Sequence, residues 1–235
     1  MTPLLGLLLA NGLAAGAALA ARALRPEAVA TAFAVGAAVY WGGGFASWVL
    51  LATFVVVGSG LTKLGYRRKA ALGTAQSDGG RRGVAEVLAN GGVAAIAAIL
   101  WRATGEPLLA TALVGALATA LADTAASEVG PVWGRRCVAA ATWRPVPPGT
   151  EGAISLEGTL AGVIGAALIA GLAALGGVLA PSLVLIVVIA AALASWLESM
   201  VGSVARRGFL ANNALQNLAN TFVGAALAVL LERAA

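Results

Sequence analysis

Long apolar runs separated by short polar clusters dominate this chain, and their lengths predict helices that cross a membrane. Runs at about 3–21, 27–42, 44–62, 84–101, 107–127, 158–179, 181–200 and 214–231 approach the roughly 20 residues a helix needs to traverse ~30 Å of hydrocarbon. The period-two alternation of a transmembrane barrel is absent. Only Gly42-Gly43-Gly44 divides the second run from the third, and Ala180-Pro181 the sixth from the seventh. Both read as tight hairpins, because glycine and proline punctuate helices. The second run is short, so seven spans or a re-entrant hairpin is the alternative there. Met1 to Leu9 carries no Lys or Arg, which leaves out the basic n-region of a signal peptide and predicts a retained first span. The expected fold is all-α: one polytopic integral membrane domain over residues 1–235 with about eight transmembrane helices. Residues 1–62 form its N-terminal helices and 63–220 carry its motifs.

Composition narrows the chemistry. Of 235 residues 60% are hydrophobic and 11% charged, with a mean hydropathy of +0.91; a soluble domain carries about 25% charged residues. There is no His and one Cys, Cys137, which removes His-based metal sites, His-dependent triads, cysteine zinc sites and intrachain disulfides. The net charge of +5 is mostly topology. Thirteen of the fifteen Lys and Arg fall in the connections 22–26, 63–83, 128–157 and 201–213, with Arg102 and Arg233 on the other side. By the positive-inside rule those connections are cytoplasmic and both termini lie outside. Bases set between apolar runs, rather than on a soluble basic face, argue against nucleic acid as a partner. The Ala-, Gly- and Arg-rich usage points to a prokaryotic plasma (inner) membrane.

Polarity gathers on the same face. Glu86, Asn90, Asp123, Glu128, Glu157, Glu198, Asn213, Asn217 and Asn220 all sit at the cytoplasmic ends of runs. A transporter scatters polar groups through the midplane, often on broken helices; one-sided polarity favours an enzyme acting on a lipid head group. In Ala122-Asp123-Thr124-Ala125-Ala126-Ser127-Glu128-Val129-Gly130, Asp123 and Ser127 share a helix face, with Glu128 beside them. An ionisable residue within a span is costly and points to function; its bland alternative is an interfacial acid paired with Arg135 or Arg136. The loop Val146-Pro147-Pro148-Gly149-Thr150-Glu151-Gly152-Ala153-Ile154-Ser155 runs into a helix start. It is suited to presenting N–H groups to phosphate, or simply to a turn in which Ser155 or Thr159 caps the sixth span. No Walker loop occurs. Gly158, Gly162 and Gly165 have the spacing of a helix-packing face, and Glu198 reads as a snorkelling or paired group.

In order, the chain carries K-x-G from Lys63, G-R-R-G from Gly80, L-A-N-G from Leu88 and D-T-x-A-S-E-x-G from Asp123. P-G-T-x-G-x-x-S-x-x-G-T from Pro148, E-S-x-x-G from Glu198 and N-N-x-x-x-N from Asn212 follow. This order resembles the membrane family, domain of unknown function ninety-two, that holds the plant phytyl phosphate kinase and animal transmembrane protein nineteen. It is more distantly similar to CTP-dependent dolichol and phytol kinases. The resemblance implies transfer of the terminal phosphate of a nucleoside triphosphate, CTP with Mg²⁺, to an isoprenyl monophosphate, giving the diphosphate. On matched positions it implies catalytic roles for Asp123, Glu128 and Glu157, with Asp123 and Glu128 holding Mg²⁺. Lys63, Arg81, Asn90, Ser127, Gly149, Thr150, Gly152, Ser155, Glu198, Asn213 and Asn217 would contact the nucleotide or acceptor.

The physics agrees with that implication. Mg²⁺ prefers carboxylate and phosphate oxygens and keeps waters, so no His is required. Phosphoryl transfer is mostly positioning and charge neutralisation. A monophosphate acceptor is already a nucleophile, whereas a free alcohol would need Asp123 or Glu157 as base. Partners are then an isoprenoid lipid, a nucleoside triphosphate and membrane lipid, with a homo-oligomer left open. A kinase of the free alcohol, a cytidylyltransferase making a CDP-lipid, a lipid or ion-coupled transporter and a non-catalytic scaffold are the rival readings.

Overall fold

Helices form where the apolar runs are long. The computed structural model describes residues 3–204 and 212–235. In chain order these are α1 (Pro3–Ala20), α2 (Val29–Lys63), the short α3 (Tyr66–Ala71), α4 (Val84–Thr104), α5 (Leu108–Trp133), α6 (Leu156–Leu175), α7 (Val184–Val204) and α8 (Asn213–Ala234). Strands β1 (Cys137–Ala139) and β2 (Ala153–Ser155) pair antiparallel between α5 and α6, a small sheet that the apolar pattern does not reveal.

Among the described residues six helices are long and apolar enough to cross a membrane, rather than eight. The difference lies at the N-terminal side. The expected first span is α1, whose apolar stretch is shorter, and the expected second and third are two arms of α2. Gly44 (φ 75°, ψ −175°) interrupts that helix, and its arms lie back to back. A Cβ on Gly91 would meet both Val35 and Leu51, and one on Gly36 would meet both Asn11 and Trp48. Lys63 at the end of α2 donates to the carbonyl of Ala21 before its start. The expected hairpin therefore forms, and only glycine adopts the left-handed turn cheaply.

Helix α5 is the axis of the bundle, packed by α2, α4, α6, α7 and α8. It is apolar all round, as a helix buried on every side must be. Its partners approach closely because both surfaces are small. A Cβ on Gly158, Gly162 or Gly165 would lie 3.0–3.1 Å from the carbonyl oxygen of Ala126, Ala122 or the side chain of Leu121, so these glycines do form the expected packing face.

The connections collect at one end. Arg25 N–H donates to Arg82 O and Arg82 N–H to Ala23 O. Gly149 abuts Thr74, and Gly152 abuts Ser199 and Ser203. Eleven of the thirteen bases assigned to that face are described there; Arg206 and Arg207, with most of the 201–213 connection, lie outside the described residues. Helix α1 begins and α8 ends away from this polar end. One boundary needs correction: the expected fifth span stops at 127, but α5 runs on to Trp133 with Pro131 inside it. The helix continues because Glu128 is not left to water; Lys69 pairs with it in the interior.

Candidate active site

A cavity of about 420 Å³ opens at the polar end. Its walls come from the segment before α4, the C-terminal half of α5, the 149–155 loop, the end of α7 and the start of α8. Loop geometry sets one wall. Gly149 and Gly152 have φ of 84° and 68°; the Thr150 hydroxyl and N–H both donate to Pro147 O. Gly152 O accepts from Ala140 N–H. The N–H groups of Gly149, Glu151 and Gly152 make no hydrogen bond among the described residues, and uncommitted loop N–H groups of this kind can receive an anion. Ser155 caps α6 by accepting from Gly158 N–H at 3.2 Å, as the sequence predicts.

Five carboxylates (Glu86, Asp123, Glu128, Glu151, Glu198) and two guanidiniums (Arg81, Arg82) line the cavity. That balance repels a bare phosphate and suits one that arrives with a cation. The acids are not equivalent. Glu86 accepts from Gly83 N–H at 3.0 Å and closes the N-terminus of α4. Glu128, 3% exposed, is paired with Lys69, 1% exposed, and Lys69 also donates to the carbonyls of Leu61 and Thr62. Asp123 pairs with neither Arg135 nor Arg136; its carboxyl lies beside that of Glu198, which accepts from the Asn220 amide. Asn220 Oδ1 is buried with no partner among the described residues.

Those observations bear on a metal ion. Two carboxyls in contact, with an unpartnered amide oxygen on the residue beside them, are oxygen donors of the type Mg²⁺ takes, the rest of its shell being water and phosphate. The cavity sets Asp123 beside Glu198 and turns Glu128 to Lys69, so an oxygen-liganded ion there would be met by Asp123 and Glu198. Among the described residues no group of three or more metal-ligating acids or thiols occurs.

Twelve of the fourteen residues named from the sequence line this one cavity: Arg81, Asn90, Asp123, Ser127, Glu128, Gly149, Thr150, Gly152, Ser155, Glu198, Asn213 and Asn217. Two do not. Glu157 turns away and accepts from Arg135 N–H at 3.3 Å, and Lys63 lines a second, apolar cavity of about 370 Å³ between α1, α2 and α4. Arg81 lines the polar cavity but is held by Asp78 (2.6 Å), which Arg25 also reaches at 3.1 Å. The Arg81 hydrogen bond holds the Asp78 carboxyl below the usual carboxylate range. Cys137 is a free thiol at the cavity edge, pushed up by burial and then by the Glu157 charge.

Sequence reasoning missed Lys69 and Arg82. Arg82, half-buried, borders both cavities, as do Glu86 and Asn90. Its guanidinium lies 4.7 Å above the Phe54 ring. The available signal was the second arginine of G-R-R-G.

Comparison with known proteins fits an integral membrane protein. The sequence profile described as "Integral membrane protein DUF92" matches residues 9–225. An uncharacterized membrane protein of Synechocystis sp. is 34% identical over 222 residues, covering 90% of this chain and 84% of its own. The chloroplastic protein VTE6 of Arabidopsis thaliana is 31% identical over 226 residues, 93% of this chain and 68% of its own. An uncharacterized membrane protein of Methanocaldococcus jannaschii is 32% identical over 196 residues, 80% and 77% respectively. No solved structure matches.

Proposed function

The chain belongs to the DUF92 family of integral membrane proteins, and from that premise we propose that it is a membrane-embedded phosphotransferase. It moves the terminal phosphate of a nucleoside triphosphate, CTP by preference, onto an isoprenyl monophosphate. The observation that carries this reading is the polar cavity itself. It is lined by a glycine loop with uncommitted N–H groups, by Arg82 and by the Asp123–Glu198 carboxyls. Similarity to a chloroplastic relative, and the likeness of the motifs to those of the phytyl phosphate kinase family, supports the acceptor class.

In this reading the donor's phosphates lie against the Gly149, Glu151 and Gly152 N–H groups. Asp123 and Glu198 would hold Mg²⁺, which when bound neutralises phosphate charge at the transferring group. Arg82 borders the same cavity from the segment before α4, while Arg81 is held by Asp78. An oxygen of the acceptor monophosphate attacks the terminal phosphorus; the bond from that phosphorus to the bridging oxygen breaks, and the nucleoside diphosphate leaves with the electron pair. The acceptor oxygen is already deprotonated, so no side chain has to act as base. Glu128 and Lys69 hold α3 on α5 and take no part in the transfer. The polar end faces the cytoplasm by its excess of bases.

The test is a radiolabel assay on the purified full chain with γ-³²P-CTP, Mg²⁺ and isoprenyl monophosphates, with ATP and the free alcohols in parallel. Label in a lipid diphosphate supports the reading. Label appearing only as pyrophosphate converts it to cytidylyl transfer, and no turnover with any donor overturns it.

A further inference from the structure

Donor phosphates and their cation occupy the polar cavity in the proposed reaction, which leaves the apolar cavity without a role. That slot has one charged mouth. Arg82, Lys63 and Glu86 stand at its polar end, but the Lys63 ammonium is spent on the carbonyl of Ala21 and the Glu86 carboxylate on Gly83 N–H. Arg82 differs: no hydrogen bond or ion pair among the described residues reaches its guanidinium, which rests on Phe54. Its place is kept open by Gly58, where a Cβ would stand 2.9 Å from Nη2. The carboxylates of Glu86 and Glu128 act on this guanidinium through space without bonding it, so its donors are left for an anion that reaches the boundary of the polar and apolar chambers.

Away from the mouth, one polar pair spans the slot. Asn11 accepts from the Trp48 indole N–H at 3.2 Å, and Asn11 and Trp48 both line the cavity. Along α1 the distance from Ala21 to Asn11 is about 15 Å at 1.5 Å per residue. An anionic mouth-binder with a narrow apolar body of limited length matches this shape.

We infer that this slot holds the tail of the acceptor, a single-chain isoprenyl monophosphate, with Arg82 gripping its phosphate and the Asn11–Trp48 pair limiting tail length. The inference rests on the isoprenyl phosphate reading for its ligand, but not on any transfer taking place. Arg82 borders the donor cavity as well, so a phosphate on its guanidinium is presented toward the donor.

The experiment uses the full chain in phosphatidylcholine nanodiscs, without nucleotide, and an isoprenyl monophosphate carrying a photoreactive diazirine at the tail end. Adducts are expected on α1 and α2 around Asn11 and Trp48, displaced by unlabelled isoprenyl monophosphate but not by the free alcohol or inorganic phosphate. Phosphatidic acid offers the same phosphate on two acyl chains and should compete poorly. Arg82→Gln should weaken capture about tenfold or more, the scale of a charge-assisted hydrogen bond, with Arg82→Lys between the two. Ala18→Phe should abolish tail labelling with Arg82 intact, and Trp48→Ala should shift preference to longer tails. Adducts confined to α5–α8, or equal competition by phosphatidic acid, overturn the slot. Labelling of α1 and α2 by a protein that transfers no phosphate keeps the slot and sinks the reaction; transfer with labelling elsewhere does the reverse.

Discussion

Asp123 and Glu128 sit in consecutive turns of one helix, and the fold treats them in opposite ways. Glu128 is buried, meets a buried lysine and has its charge balanced within the chain. Asp123 is set against a second acid, Glu198, and among the described residues no cation pairs with either. A balanced acid holds structure together; an unbalanced pair, kept together by the surrounding fold, is an arrangement that a ligand completes. Type and spacing alone would give both residues the same job.

Substitutions should separate them. Asp123→Asn should lower turnover about 10²-fold or more, as loss of one electrostatic group at a reacting centre does, while the melting point in detergent stays near that of the parent. Unaltered turnover would remove Asp123 from the site. Glu128→Gln or Lys69→Met should instead unfold the polar end, since stranding one member of a buried pair costs about 3–5 kcal/mol. Combining Lys69→Met with Glu128→Leu should recover most of that loss, read as the midpoint of denaturant unfolding. Gly152→Ala tests the wall opposite. Its φ is 68° and the new Cβ would stand 2.2 Å from Ser203 N, so about 1–3 kcal/mol of strain should move the loop, weaken nucleotide binding and leave the Lys69–Glu128 pair intact. The smallest effect belongs to the exposed clasp of Arg25, Asp78 and Arg81. Asp78 is depressed in the folded chain, so its contribution is present above the unfolded carboxylate value near 3.9 and lost only as pH falls through the folded one. Proteolysis of the 72–80 segment should therefore be flat from neutral pH down to about 4 and rise below it.

Much of this was legible in the residues. Apolar length located the helices, the distribution of bases gathered the connections at one end, and the motif order brought twelve of the fourteen named residues to one cavity. Pairing was not legible, because it depends on contacts far apart in sequence. Nothing local says that Asp123 meets Glu198 on another helix. Lys69 stands in a basic run that reads as solvated, yet Gly65, in the left-handed region and packed on Val132, turns α3 so that Lys69 enters the core. Arg81 and Arg82 look interchangeable in sequence. The backbone there is extended and bridged to Leu24, and successive side chains of an extended segment point to opposite sides. One arginine therefore reaches out to Asp78 and its neighbour reaches in to Phe54.

The reversal at Gly44 has a mechanical consequence for the bilayer. The arm 29–43 rises only about 22 Å at 1.5 Å per residue, against roughly 30 Å of hydrocarbon. At its tip Tyr40, Phe45 and Trp48 form an aromatic cluster and Arg102 lies over Trp41, side chains that anchor at head-group depth. Bilayers thin around short spans, so leaflets drawn together on the α1–α2 flank are the expected response to this arm. A bilayer thinned on that flank would be thinnest beside the apolar chamber, where a lipid leaving its leaflet would have the least hydrocarbon to give up.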